Sequence, residues 1–427
     1  MTYVEFYDKN SIENICACLT MLPDEVILVG NDKKVIEKHA ENCEKVFAGR
    51  EQNVKFSCKI VSRWSASKVV ETIEEIIETH DDCVFGITGG DEMVVFALGI
   101  VCERERQRNR GKNVQVHKIN IQDNKIHDCD MDGEVIEQDI PQLSVAENVQ
   151  IYGGEISVYD WDMTPDFEKD IEDIWNICKV NPAAWNAQIG VLGTIKEKGT
   201  SSADGLTITA EVAKLIEYYS KNRGHYNIEG PVKEALIDKG LLLKLEEKDG
   251  VVTVIFKNEQ VKKCLTVAGQ ALEMKIYLTT RRIKGKRNKT DVKESVIYND
   301  VKTGVTIDWD GVDQTNNSEE IDVINEIDVL MMHDMVPIFV SCKNGWFSAD
   351  EFYKLNTVAD RFGGKYAKKV LITSTLDVDL KNEDKPELMH RANELKQRAS
   401  DMNIKIITGD HLMDDKQLEN KLKNVWC

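Results

Sequence analysis

Short apolar runs alternate with amphipathic stretches over the first 150 residues. Apolar runs of strand length occur at 3–7, 26–29, 54–61 and 84–88. Helical patterns separate them, the clearest at 67–79, where the apolar residues recur every three or four positions. A hairpin pattern follows at 114–129. Strands that alternate with helices predict an α/β fold with a parallel, doubly wound sheet.

The loops that follow the predicted strands carry the candidate binding residues of this region. Doubly wound sheets bind ligands beyond the carboxyl ends of their strands, so the loops at 8–11, 30–32, 62–65 and 88–91 should converge. The last loop contains Gly89 and Gly90, which let backbone N–H groups approach a ligand at a helix N-terminus. It has neither the Walker lysine nor a full GxGxxG. A tight strand-to-helix turn without a ligand is the alternative.

The middle of the chain predicts helices and then a small mixed unit. Residues 166–193 have a helical pattern in which Trp175 and Trp185 are expected to be core residues. Residues 205–262 predict a winged-helix unit: a helix over 210–220 capped by Thr209, a second over 232–239, and strands at 241–246 and 251–256. The second helix is short and not basic, which favours a structural connector over a DNA reader.

Two strand patterns near residue 335 carry the main candidate for catalysis, NEIDVLMMHDMVPIFVSCKNG. Glu326 and Asp328 are two positions apart and should leave one face of the first strand. The second strand ends at Lys343. A hairpin of this kind would bring carboxylate and ammonium together, as needed to hold a divalent metal and steady a water that attacks phosphorus. The spacing of Asp328 and Lys343 fits PD-(D/E)xK nucleases, and a charged hairpin with a solvated lysine is an equal alternative.

Further charged residues flank this hairpin. Glu273 lies on a predicted helix over 267–277, and Asp308 ends a predicted strand at 305–308. The most basic stretch, RRIKGKRNK at 281–289, is either an exposed loop or a clamp on a nucleic-acid backbone. A helix at 349–362, a strand at 369–373, a helix at 386–402 and a strand at 404–408 follow, in the order of a restriction-endonuclease core.

Length, charge and residue composition indicate a multidomain protein without a predicted membrane span. A chain of 427 residues should form two or three domains, and its net charge of −19 argues against broad non-specific binding of duplex nucleic acid. It contains no apolar run of about 18 residues and no signal-peptide pattern at its N-terminus. The eleven cysteines show no metal-ligand spacing and predict reduced thiols in a cytoplasmic protein, mostly in the core.

Several phrases resemble the CRISPR ancillary nucleases of type III systems, in which a CARF sensor is fused to a PD-(D/E)xK restriction-endonuclease-like domain. The phrases are FYDKNSIENI, ITGGDE, VQIYGGE, NEIDVL, FVSCKNG and RFGGKYAKKVLIT, and they span nearly the whole chain. The resemblance implies a Rossmann-like CARF domain over 1–160, a helical and winged-helix-like connector over 161–262, and a nuclease domain over 263–427.

The resemblance also implies an activity. It predicts a homodimeric, prokaryotic endonuclease that a cyclic oligoadenylate, most often cyclic tetra-adenylate, activates allosterically. Such an enzyme hydrolyses phosphodiesters in single-stranded DNA, RNA or supercoiled DNA with Mn²⁺ or Mg²⁺.

The family pattern assigns roles to individual residues. The ligand pocket is expected to use Asn10, Ser11, Gly30, Asn31, Arg63, Trp64, Thr88, Gly89, Gly90 and Asp91. Asp328 and Lys343 stand at the motif's Asp and Lys, with Asp308 and Glu326 as further metal ligands and Glu273 as an accessory acid. Ser341 stands where the motif has an acid, so either Glu326 or Asp308 supplies the missing charge or the site is weakened.

Two other functions fit the same sequence. A CARF winged-helix transcription regulator with an inactive nuclease domain would bind duplex DNA specifically and cleave nothing, and Ser341 favours it. Degradation of the ligand by the CARF half is the other, although no residue requires it.

Overall fold

The described strands of the computed structural model form two large sheets, a four-stranded sheet and a two-stranded sheet. The structure describes the chain except for residues 63, 109–110, 122–124, 130–132, 137–140, 223–224, 287–293, 312–322, 377–380, 382–384 and 427.

The first sheet has seven strands in the order β3–β2–β1–β4–β5–β6–β7. Its strands are β1 (Thr2–Phe6), β2 (Glu25–Gly30), β3 (Lys55–Ile60), β4 (Asp82–Gly86), β5 (Asn113–Asn120), β6 (Lys125–Asp128) and β7 (Glu134–Ile136). Strands β1 to β5 pair in parallel, and β6 and β7 continue the sheet antiparallel. The predicted doubly wound sheet is confirmed, and its strand order reverses between β1 and β4, the usual position of a ligand crevice.

Four helices cover this sheet: α1 (Cys16–Met21), α2 (Lys33–Gly49), α3 (Ala66–Thr79) and α4 (Glu92–Arg108). The apolar residues that predicted α3 are buried, and Ser65 caps the helix by accepting a hydrogen bond from the Lys68 amide. A short 3₁₀ helix, Ser11–Asn14, precedes α1.

The middle of the chain contains the winged-helix-like unit and the elements that precede it. Its elements are α5 (Val145–Ile151), β8 (Glu155–Ser157), α6 (Pro165–Cys178), α7 (Pro182–Lys198), β9 (Thr200–Ser201), β10 (Thr207–Glu211), α8 (Val212–Lys221), α9 (Pro231–Asp238), β11 (Leu242–Lys248), β12 (Val251–Phe256) and α10 (Glu259–Thr266). The small sheet has the order β11–β12–β10–β9. Thr209 lies within β10 and does not cap α8, because its segment pairs with β12. Trp175 and Trp185 are fully buried, as predicted.

The second large sheet has the order β19–β18–β17–β16–β15–β8. The remaining elements are α11 (Gln270–Arg282), β13 (Lys284–Gly285), β14 (Ser295–Val296), β15 (Asp300–Asp308), β16 (Ile324–His333), β17 (Val336–Lys343), α12 (Asp350–Gly363), β18 (Lys368–Thr373), α13 (Pro386–Asp401), β19 (Ile404–Ile407), α14 (Gly409–Leu412) and α15 (Asp415–Lys423). Strands β16 and β17 form the predicted hairpin, whose turn begins at Asp334 with φ of 55°. Aspartate tolerates that left-handed conformation better than most residues.

The two large sheets share one hydrophobic core. Ile12 and Tyr152 belong to the same buried cluster as Phe339 and Phe362 of the second sheet and its helix. The Asn148 side chain also donates a hydrogen bond of 2.7 Å to the Phe362 carbonyl. Strand β8, which precedes the expected boundary at residue 160, pairs with β15. The first and last thirds of the chain are therefore packed together directly, and the division into domains stays a prediction.

Two expectations from composition can be compared with the structure. Seven of the ten described cysteines are buried, in agreement with a mainly core role. No helix in the described part of the chain combines the length and the apolar character required for a membrane span.

Candidate functional site

A small cavity of about 270 Å³ lies at the carboxyl edge of the first sheet. Four of the predicted ligand residues line it: Gly30, Asn31, Gly90 and Asp91. Ser62 contributes to the wall, and Trp64, two positions further, is 85% exposed. Arg63 lies outside the described residues. The loops after β1 to β4 thus converge as the strand pattern predicted.

Close packing against β1 explains why the loop after β4 has glycine at positions 89 and 90. A side chain at Gly90, which has φ of 93°, would place Cβ 2.6 Å from Phe6 Cβ, and one at Gly89 would meet the Phe6 carbonyl at 3.0 Å. Thr88 Oγ1 accepts a hydrogen bond from the Ile119 amide, and Asp91 Oδ1 accepts one from Val94 at the start of α4. Asp91 therefore lines the cavity and caps α4, Thr88 joins this loop to β5, and the glycines allow the loop to lie close to β1.

Asn10 and Ser11 line a second, larger cavity of about 950 Å³, which we call the junction cavity. It lies between the first sheet and the C-terminal end of α12, and it shares Tyr7 and Lys9 with the small cavity. Asn10 Oδ1 accepts a hydrogen bond of 3.1 Å from the Lys365 amide. Of the ten predicted ligand residues, four therefore line the small cavity and two line the junction cavity.

Asp328 and Lys343 meet at the end of the β16–β17 hairpin. The Lys343 ammonium lies 3.6 Å from Asp328 Oδ2. The same oxygen accepts hydrogen bonds from the Cys342 amide at 2.5 Å and from Ser341 Oγ at 3.2 Å. Val329 pairs with Val340 in the antiparallel hairpin. The register therefore places Asp328, which precedes Val329, beside Ser341, which follows Val340. Ser341 therefore acts here as a donor that positions the Asp328 carboxylate.

Glu351, in the first turn of α12, completes the surroundings of Lys343 and was missed by sequence reasoning. Its Oε2 lies 3.0 Å from the Lys343 ammonium. Burial lowers the pKa of Lys343, but the Asp328 and Glu351 carboxylates raise it more, so the net direction is upward. Lys343 is therefore a permanent cation and hydrogen-bond donor at neutral pH. An acid in the helix directly after the lysine strand was the available signal.

Glu273 on α11 is close enough to Asp328 and Glu326 for their charges to change its pKa. Burial, followed by the charges of Asp328 and Glu326, raises the pKa of Glu273 to about 8. Its Oε2 accepts a hydrogen bond from Gln270 Nε2 at 3.1 Å. Glu326 itself is exposed on β16. Three acids thus share one electrostatic environment, in which Glu273 holds a proton at neutral pH.

Asp308 is not brought to this group. Asp308 pairs with Ile324, four positions before Asp328. At 3.3 Å per residue, Ile324 and Asp328 are about 13 Å apart along the strand. Asp308 Oδ1 accepts hydrogen bonds from the amides of Asp310 and Gly311 and so closes a turn. The expectation that Asp308 joins Asp328 at a metal is therefore corrected by the strand register.

The acids at the hairpin have the chemistry of a site for a hard divalent cation, but they are not preassembled. Within the described ranges, no three His, Cys, Asp or Glu side chains are grouped closely enough to hold a metal ion. Carboxylate oxygens suit Mg²⁺ or Mn²⁺, and such a cation would offset the burial and the repulsion that together keep Glu273 protonated. Asp328, Glu273 and Glu326 therefore fit as a partial oxygen ligand set.

The basic stretch is only partly available as a clamp. Arg281 and Arg282 form the last turn of α11, and Lys284 begins β13. Arg282 is ion-paired with Glu168, whereas Lys286 is exposed. Arg287 and Lys289 lie outside the described residues.

Comparison with solved structures places the whole chain in one known architecture. The protein VC1899 from Vibrio cholerae aligns with a TM-score of 0.69 at 14% identity, covering 99% of both chains. Can2 from Sulfobacillus thermosulfidooxidans, solved in complex with cyclic tetra-adenylate, aligns with a TM-score of 0.65 at 15% identity over 100% of this chain and 99% of Can2. No family model and no curated protein matches the sequence. The chain therefore shares its overall fold with these two proteins over nearly its whole length, and the predicted mixed α/β architecture is confirmed.

Proposed function

We propose that this chain is a metal-dependent endonuclease that cyclic oligoadenylate, in the first place cyclic tetra-adenylate, activates in type III CRISPR defence. One observation carries the proposal: Asp328 and Lys343 are in contact at the motif's positions in a chain that aligns with Can2 over its whole length. The cyclic tetra-adenylate bound to Can2 favours a ligand of this class at the first sheet.

The mechanism assigns a separate task to each residue at the hairpin. Asp328, held by the Cys342 amide and Ser341, would bind the metal together with Glu273 and Glu326. When bound, Mn²⁺ or Mg²⁺ would polarise the scissile phosphate and acidify a water. Lys343, oriented by Glu351, donates to the negative charge that develops on the phosphoryl oxygens. Glu273 must release its proton before it can serve as a ligand.

The substrate is expected to be single-stranded DNA, RNA or supercoiled DNA in a prokaryotic cytoplasm. A chain with a net charge of −19 needs a local basic surface to hold a nucleic-acid backbone. Arg281, Lys284 and Lys286 are the described candidates for that surface.

A homodimer through α4 is part of the proposal. Helix α4 exposes Val95 and Phe96, the latter to 61%, close to the small cavity that Met93 and Val94 help to line. A cyclic ligand with two-fold symmetry suits a two-fold dimer in which each protomer contributes the same loops. The exposed apolar side chains of α4 would then be buried against the partner.

Phe96→Glu should therefore yield a monomer that cyclic tetra-adenylate no longer activates, because two like charges would meet at the two-fold axis. Analytical ultracentrifugation and a cleavage assay measure the two effects. Val180→Glu is the matched control, since Val180 is 82% exposed in the turn between α6 and α7. A dimeric Phe96→Glu protein with full activation would contradict this interface.

The proposed function itself predicts cleavage only when both the cyclic nucleotide and the metal are present. The assay incubates the protein with labelled single-stranded DNA, RNA and plasmid, with or without cyclic tetra-adenylate, and with Mn²⁺, Mg²⁺ or EDTA. Cleavage that needs both components supports the proposal, and no cleavage of any substrate under any condition contradicts it.

A CARF winged-helix regulator with an inactive nuclease domain is the second candidate. Two observations favour it: Ser341 replaces the motif's acid, and the described acids form no ready metal group. Gel-shift experiments on the same protein sample separate the two, since the regulator would bind a specific duplex and cleave nothing.

A further inference from the structure

The junction cavity joins the two halves of the molecule. Its walls include Tyr7 and Asn10 after β1, His39 on α2, Tyr152 after α5, and Arg361 and Lys365 at the end of α12. At about 950 Å³ it is at the upper end of the range for small-molecule sites, whereas the small cavity of about 270 Å³ is at the lower end.

The cavity wall is basic in an acidic protein. Five cationic side chains line it: Lys9, Lys34, Lys38, Arg361 and Lys365. Among the described residues of the wall, Asp360 is the only carboxylate, and Lys369 lies 3.7 Å from it. Lys365 pairs with Glu13 at 2.8 Å. In a chain with a net charge of −19, this local excess of positive charge favours an anionic ligand.

Two deeply buried polar atoms in the wall have no hydrogen-bond partner among the described residues: the Tyr152 hydroxyl and His39 Nδ1. The two residues are 6% and 3% exposed. The Ile12 amide lies near the tyrosine oxygen, but an amide is a donor and offers the hydroxyl proton no acceptor. Burial lowers the pKa of His39 to about 4, which keeps the ring neutral. Buried polar atoms are nearly always paired, so these two indicate a missing partner.

We infer that the junction cavity holds one nucleotide of the cyclic oligoadenylate, with its phosphate on Arg361 and Lys365 and its base or ribose against Tyr152 and His39. The inference rests on the proposed function and adds residues of the nuclease half to the ligand site. The shared walls at Tyr7 and Lys9 allow one ligand to reach from the small cavity into the junction cavity.

Helix α12 connects this cavity to Lys343. At the cavity end, the Lys365 amide donates to Asn10, and the Tyr366 hydroxyl donates to Glu13 at 2.6 Å. At the other end, Glu351 holds the Lys343 ammonium at 3.0 Å. The helix has 14 residues and is therefore about 21 Å long. A nucleotide held by Arg361 and Lys365 would thus contact the end of α12, the helix whose Glu351 orients Lys343.

Arg361→Ala should weaken cyclic tetra-adenylate binding at least tenfold and raise the concentration for half-maximal cleavage by the same factor. Tyr152→Phe should weaken binding severalfold and leave the thermal midpoint unchanged or higher, because it removes a hydroxyl without a partner. Isothermal titration of the full-length protein and a cleavage titration measure these effects. Lys396→Ala, an exposed lysine of α13, is the matched control and should bind as the wild type does.

The outcomes separate the inference from the proposed function. If the wild type binds the ligand and is activated, but Arg361→Ala and Tyr152→Phe bind it equally well, the junction cavity is not part of the ligand site. If the wild type does not bind cyclic tetra-adenylate at all, the proposed function fails and the inference fails with it.

Discussion

Lys343→Ala is expected to reduce the cleavage rate about a hundred- to a thousandfold while ligand binding at the first sheet is unchanged. The substitution removes the cation that the structure holds between Asp328 and Glu351. Loss of one donor to a developing oxyanion has an effect of about this size. Asp328→Asn should cost at least as much, since it removes a metal ligand yet retains an oxygen for the Cys342 amide. Single-turnover cleavage of labelled single-stranded DNA measures both rates.

Lys354→Ala provides the control for this experiment. Lys354 also contacts Glu351, at 3.0 Å, but its side chain is 68% exposed, and the structure shows no ion pair between Lys354 and Asp328 among the described residues. It should cleave at nearly the wild-type rate. Circular dichroism spectra and thermal midpoints would show whether each variant is folded. A folded Lys343→Ala protein that keeps more than about a tenth of the activity would refute the assignment, given the expected loss of transition-state stabilisation.

Titration of Glu273 should make the free energy of unfolding of the metal-free protein depend on pH, and Glu273→Gln is expected to abolish this contribution. The pKa of Glu273 rises from its ordinary value near 4.5 to about 8 in the folded state, so the unfolded chain releases this proton at lower pH. The wild type therefore loses stability relative to Glu273→Gln as pH rises from about 4.5 to 8, by on the order of 3 kcal/mol. Urea unfolding of both proteins in EDTA at pH 5 and pH 8.5 measures the difference.

A bound metal should reverse the loss of stability of the wild type at high pH, because a cation stabilises the ionised Glu273 carboxylate. Mn²⁺ is expected to stabilise the wild type more at pH 8.5 than at pH 6, and to do so less in Glu273→Gln. Glu387→Gln, an exposed acid in the first turn of α13, is the control and should follow the wild type at every pH. A constant difference in the free energy of unfolding between wild type and Glu273→Gln across this range would show that the pKa of Glu273 is not raised in the folded protein.

The sequence predicted the elements that depend on local pattern. Alternating apolar runs and amphipathic helices were sufficient for the parallel first sheet, because hydrophobic periodicity reports directly which face is buried. The β16–β17 hairpin was predicted for the same reason, and with it the contact of Asp328 and Lys343. Thr209 was misassigned because cross-strand pairing with β12 overrides a local capping signal.

Features that depend on packing between distant segments were not predicted. Glu351 reaches Lys343 because α12 packs on β17, and this packing was not predicted although the acid in the helix after the lysine strand was visible in the sequence. Asp308 was placed at the metal because its strand was known but its register was not. The junction cavity combines Asn10 with Lys365, which are 355 positions apart in the chain.

A crystal structure of the protein with cyclic tetra-adenylate and Mn²⁺, measured at the manganese absorption edge, would show both proposed sites at once. We expect an anomalous peak at coordination distance from the Asp328 carboxylate beside Lys343, and nucleotide density at Gly30, Asn31 and Gly90. A structure with the nucleotide bound elsewhere, or with manganese absent from Asp328, would contradict this expectation.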